Sequence, residues 1–133
     1  WNTMTASWGA MGVLWNKKVC FCFVRDSRYT FSFMNENDEF TLSFFKEEHR
    51  EALNYCGSHS GRDVDKAVET GLIPVAAGNS VSFEQARLVL VCKKIFSQDL
   101  VPEQFLDSSI GEHYPSKDYH RMYIGEIVNC TTR

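Results

Sequence analysis

Between Lys18 and Arg25 the chain reads K-V-C-F-C-F-V-R, a nearly continuous apolar run of strand length. A run of this kind predicts a buried strand. Cys20 and Cys22 stand two residues apart in it, which places both on one face. Glu39–Phe45 (E-F-T-L-S-F-F) alternates, with Phe40, Leu42 and Phe44 on one side, and predicts a second strand. Ala86–Phe96 is a third, long and rich in branched residues. Arg121–Val128 is a fourth, with Met122, Ile124 and Glu126 opposed to Tyr123, Gly125 and Ile127.

Helical spacing lies between the second and third strands. In Lys46–Cys56, His49, Ala52, Leu53 and Cys56 share a face, three glutamates stay outside, and Gly57 is placed to end the helix. In Asp63–Thr70 the stripe is Val64, Ala67 and Val68, with Gly71 as the terminating glycine and Leu72 as its apolar follower. A third short helix opens at Pro102 and carries Phe105 and Leu106. Residues 76–80 and 108–117 read as loops. Tyr29–Met34 alternates like a strand but lies too near the next strand for a hairpin arm. Strands with helices inserted irregularly between them argue for an α+β, mainly β fold on a barrel or sandwich.

The chain of 133 residues, 44% hydrophobic and 23% charged, fits one globular domain over residues 1–133. Its formal net charge of −3 offers no general attraction to nucleic acid or to an anionic membrane. No apolar stretch approaches the roughly 18 residues that span a bilayer. The five cysteines contain no CxxC, and the four histidines show no HxxxH or HExxH spacing, so no metal site is expected. Core thiols in a reducing cytosol are the expected use of the cysteines, and a cytoplasmic location follows. Neither GxGxxG, a P-loop nor GxSxG is present. The opening Trp1-Asn2-Thr3, in place of Met, suggests that N-terminal sequence is missing.

Chemistry gathers in three places. Arg25-Asp26-Ser27-Arg28-Tyr29-Thr30 sets two guanidiniums and three hydroxyl groups directly after a buried strand. It reads either as a phosphate site, where arginine forks match phosphate oxygens, or as a solvated turn. Asn2-Thr3-Met4-Thr5-Ala6-Ser7-Trp8-Gly9 is small and hydroxyl-rich. It reads either as a lining for a flat heteroaromatic or as an edge strand. Ser58-His59-Ser60-Gly61-Arg62-Asp63-Val64-Asp65-Lys66 is a polar loop running into a helix, which contacts an anion or a cofactor, or in which Asp63 caps the helix. His120, just before the last strand, either packs or lines a site.

Taken in order, N-T-M-T-A-S-W-G, L-W-N-K-K-V, F-V-R-D-S-R-Y-T, D-E-F-T-L-S-F-F, S-G-R-D-V-D-K, A-R-L-V-L-V-C-K-K and H-Y-P-S-K-D-Y-H-R-M-Y-I-G-E-I resemble the flavin-reductase-like FMN-binding domain family. The nearest resemblance is to its flavoredoxin-like branch. The family usually has one more N-terminal strand and loop. Asp26 and Lys18 stand where prolines are frequent.

The resemblance implies a split β-barrel and a homodimer with FMN in a groove at the interface. It implies that Thr3, Met4, Thr5, Ala6, Ser7 and Trp8 line the flavin ring and ribityl chain. Arg25, Ser27, Arg28 and Thr30 would bind the phosphate, and Tyr29–Asn35 would be a short helix. Ser43, Phe44 and Phe45 would meet the flavin at a strand end. Ser60, Gly61, Arg62 and Lys66 would approach it or cross the dimer. The implied activity is NAD(P)H-dependent flavin reduction. The alternative is an electron carrier that serves a redox partner protein without its own NAD(P)H site. Hydride chemistry belongs to the flavin, so no catalytic general base is expected.

Overall fold

The computed structural model describes residues 1–133. Its strands are β1 (Gly9–Leu14), β2 (Lys17–Arg25), β3 (Glu39–Phe44), β4 (Pro74–Ala77), β5 (Ser80–Phe83), β6 (Leu88–Asp99) and β7 (His120–Thr132). Its helices are α1 (Thr30–Glu36), α2 (Arg50–Ser58) and α3 (Lys66–Thr70), with short 3₁₀ turns at Glu47–His49, Pro102–Gln104 and Ser108–His113. Five strands form an antiparallel sheet in the order β1-β2-β7-β6-β3, and β4 pairs with β5 in a separate hairpin. Thr41 donates to the Val81 carbonyl at 2.5 Å and the Ser43 and Ser82 hydroxyls meet at 2.9 Å, so the hairpin lies against β3. β1 and β3 are not paired to each other, which leaves the sheet open as a split barrel.

The core follows from the apolar runs. Cys20, Cys22 and Val24 of β2 pack with Met34, Phe40, Leu90, Cys92 and Tyr123. Cys20 and Cys92 bring their sulfurs to 3.4 Å across β7, where the partner of Cys20 is Gly125. A Cβ there would lie 2.7 Å from the Phe40 ring and 2.9 Å from Cys92 Cβ, so glycine is what the packing admits. A second small cluster joins Cys56, Leu72 and Phe83. All five cysteines are free thiols, and Cys130, unlike the other four, is exposed.

The four expected strands are present, with β6 and β7 running further than expected. The ambiguous segment after β2 is helix α1, in line with the resemblance rather than the alternation. Three features escaped the sequence reading. β1 (G-A-M-G-V-L) lies almost wholly exposed on both faces, so no burial pattern marked it. It turns into β2 through Trp15 and Asn16, both at positive φ (54° and 56°). The β4–β5 hairpin occupies the expected loop at residues 76–80, turning at Gly78 and Asn79.

Several expectations need correction. Gly57 does not end α2. It lies in its last turn, where Thr5 Oγ1 would stand 2.8 Å from a Cβ. The helix stops at His59, in extended conformation. Asp65, not Asp63, caps α3 by accepting from the Ala67 and Val68 amides. The expected stripe is also rotated, with Val68 outside and Lys66 inside. Leu106 is fully exposed, and Pro102 opens only a 3₁₀ turn. Gly71 at φ 73° and buried Leu72 end α3 as expected.

Candidate functional site

Residues 1–8 belong to no helix or strand. Met4–Trp8, with Phe23, form a wall common to two cavities. The larger, about 1010 Å³, is mostly apolar and also touches Phe40, Leu42, Phe44 and Phe45. The smaller, about 210 Å³, adds Arg25, Arg28 and His120 to the shared wall. Two side chains of residues 1–8 are tied down. Asn2 donates to Thr30 Oγ1 at 3.0 Å, and Thr5 Oγ1 donates to the Leu53 carbonyl at 2.5 Å. The wall's main chain from Met4 to Ser7 makes no hydrogen bond to the rest of the protein. Its amides and carbonyls are therefore available to a polar ring edge, a group that needs partners when buried.

The smaller cavity is cationic, but its two guanidiniums are differently placed. Arg25 is engaged on all sides. It pairs with Asp118 at 3.1 Å, donates to the His113 carbonyl at 3.0 Å and lies over the Tyr114 ring at 4.7 Å. Ser27 also donates to Asp118, at 2.9 Å. Burial works against charge on Asp118, but the hydrogen bonds it accepts and the Arg25 charge outweigh it and hold the carboxyl below its usual range. Arg28 makes one contact, to the Gly57 carbonyl at 3.2 Å. Asp26 is exposed and turned to solvent.

His120 is buried between Trp8 and Tyr114, and the Tyr114 hydroxyl meets its Nδ1 at 2.6 Å. Burial, then the nearby Arg25 charge, lower its pKa below the ordinary 6.5. A neutral imidazole that accepts at Nδ1 carries its proton on Nε2.

The structure gathers Thr3, Met4, Thr5, Ala6, Ser7, Trp8, Thr30, Ser43, Phe44 and Phe45 around the larger cavity, and Arg25 and Arg28 around the smaller. The remaining expected residues line neither. Ser27 holds Asp118. Tyr29 lies under the Arg62 guanidinium at 4.8 Å. Ser60 accepts from the Arg62 amide, and Gly61 stands against Asn2. Lys66 sits behind the wall, with its ammonium on the Thr3 and Cys56 carbonyls. Phe23 and Asp118 were missed. Phe23 belongs to the buried run, where its opposite parity to Cys20 and Cys22 was the available signal. Asp118 offers no local signal, because its partner Arg25 is 93 residues away.

The family described as flavin reductase like domain matches residues 2–133. Among solved structures, the chain is similar to flavoredoxin from Methanosarcina acetivorans, with a TM-score of 0.77 at 24% identity, over 99% of this chain and 61% of that one. It is similar to the FMN-binding protein from Thermus thermophilus with bound p-hydroxybenzaldehyde, with a TM-score of 0.76 at 19% identity, over 99% and 64%. Nitrilotriacetate monooxygenase component B from Bacillus cereus aligns with a TM-score of 0.76 at 16% identity, over 98% and 62%. The chain thus spans less than two thirds of each of these structures. No curated protein matches it by sequence.

Proposed function

Because the chain belongs to the flavin reductase like domain family, matched from residue 2 to residue 133, we propose that it is an FMN-binding flavoprotein that works as an oxidoreductase. The observation that carries this is the Met4–Trp8 wall, whose main chain is unpaired from Met4 to Ser7 and which borders one apolar and one cationic cavity. A flavin needs both surroundings, an apolar bed for its ring system and a cation for its phosphate. One compact turn and no glycine-rich pyrophosphate motif favour FMN over FAD.

In this reading Arg28 receives the phosphate, since its guanidinium has one carbonyl to give up. Thr30 and Asn2, hydrogen-bonded to each other, line the larger cavity instead. Met4–Trp8 would meet the polar edges of the ring, with Ser43, Phe44 and Phe45 on the apolar side. When bound, FMN supplies the hydride and electron chemistry. The chain's own part is to hold the phosphate, orient the ring and keep water from it. His120, its pKa lowered by burial and by Arg25, lines the cationic end. The functional unit is a cytoplasmic homodimer with FMN at the interface.

NADH or NADPH is the proposed electron donor, which makes the protein a flavin reductase. The likeness to a flavoredoxin favours a second reading, an electron carrier that serves a redox partner protein. The absorbance of the purified protein, followed by chromatography of the released group, tests the first step: the expected result is a flavin spectrum and FMN. Colourless protein that takes up no added FMN would sink the proposal. Adding NADH or NADPH then separates the two readings. Bleaching at catalytic rates supports the reductase, and reduction by dithionite alone supports the carrier.

A further inference from the structure

The main chain of residues 1–7 makes a single hydrogen bond inside the protein, the Thr3 carbonyl accepting from Lys66 Nζ at 2.6 Å. Lys66 is 5% exposed and has no carboxylate within ion-pairing distance. Burying an ammonium without a counter-charge is costly, and an apolar side chain of the same length would avoid that cost. The surroundings explain how it is borne. Its second acceptor, at 2.8 Å, is the Cys56 carbonyl in the last turn of α2. Carbonyls of a last turn lack intrahelical partners and sit at the negative end of the helix dipole. The next carbonyl, that of Gly57, takes Arg28, and the earlier Leu53 carbonyl takes Thr5. The end of α2 thus collects three ties, and the one from Lys66 holds main chain.

Lys66 lines neither cavity. Its effect on a ligand therefore passes through Thr3 to the wall. We propose that Lys66 is a positioning residue, which ties the Thr3 carbonyl to the C-terminal turn of α2 and so holds residues 3–7 in place as the flavin-facing wall. The inference rests on the flavin reading of that wall, but the placement of the segment can be measured without any flavin.

The experiment has two arms, on wild type, Lys66→Met and Lys66→Arg. In flavin-free protein, backbone NMR order parameters of residues 3–7 are expected near about 0.85 in wild type and below about 0.6 in Lys66→Met, with α2 and β2 unchanged. Lys66→Arg keeps the charge and the donors and should restore order. In the second arm FMN and riboflavin are titrated by flavin fluorescence. Lys66→Met should lose affinity for both by the same factor, about ten-fold, as expected for loss of a charge-assisted contact. A segment as ordered in Lys66→Met as in wild type overturns the proposal. Unchanged affinities overturn it too. A loss confined to FMN does the same, and would make Lys66 a phosphate ligand. Should Lys66→Met not fold, Lys66→Gln, uncharged but still a donor, is read for the same two quantities. If wild type binds neither flavin, the flavin reading fails, while the order parameters still decide whether Lys66 places the segment.

Discussion

Arg25 and Arg28 are three residues apart and chemically identical, yet their surroundings give them different work. The charge of Arg25 is matched by Asp118, and its fork is spent on two acceptors and a ring face. Arg28 has only the Gly57 carbonyl to release. Arg28→Ala is therefore expected to weaken FMN binding by about 1.5–3 kcal/mol, roughly ten- to hundred-fold, and riboflavin binding far less. Arg25→Ala should cost less for FMN and more for stability, because it strands Asp118. Fluorescence titration of both flavins decides this, and equal losses for FMN and riboflavin in Arg28→Ala would remove the phosphate assignment. His120 gives a second residue-scale prediction. Burial, then Arg25, hold its folded pKa below the ordinary 6.5, so near that pH the unfolded chain takes a proton that the folded one refuses. The unfolded state then binds more protons, and stability falls as pH drops from about 6.5 toward the folded pKa. His120→Gln keeps a partner for Tyr114 but cannot titrate, so its urea midpoint should fall less than that of wild type between pH 7 and 5. Parallel curves would show that another group governs acid loss.

Among the elements, β7 is constrained at Gly125, where a Cβ would meet the Phe40 ring and Cys92. Gly125→Ala overpacks that layer and is expected to cost about 1–3 kcal/mol in urea unfolding. A change below about 0.5 kcal/mol would mean the Phe40 ring moves aside freely. What the sequence revealed about elements follows the same physics. β2, β3, β6 and β7 were legible because they bury apolar side chains in runs or alternation. β1 was not, since its Met11 and Val13 face solvent and imprint no pattern. α3 was legible in its end, through Gly71, but not in its facing. A buried lysine reads like a surface one until its two carbonyl partners, from 10 and 63 residues away, are known. The site divides likewise. The arginines and the N-terminal strip stood out as local concentrations of donors. The ion pair that occupies Arg25 joins residues that nothing in the linear chain brings together.

As a whole, the molecule exposes more surface than its size requires. Its accessible area is 8330 Å², against about 7100 Å² for a folded monomer of 15.3 kDa. Trp1, Trp8, Trp15, Met11 and Val13 are each about half exposed or more. The proposed homodimer would cover exposed apolar side chains of this kind, and closed two-fold symmetry is the commonest way for one chain to do so. Light scattering at micromolar concentration is expected to give twice the chain mass, and a monomer mass would defeat the homodimer. The strand order has a consequence of another kind, for assembly in time. β7 lies between β2 and β6, so residues 120–132 join one pair of strands to the other. Until the ribosome has released them, β2 shows an open edge and an uncovered K-V-C-F-C-F-V-R run, and β6 is open toward it. Most of the sheet must therefore wait for contacts of long sequence separation, the slow kind to close. A nascent chain stalled before residue 120 would present unpaired strands to its neighbours, and is the form most prone to aggregate.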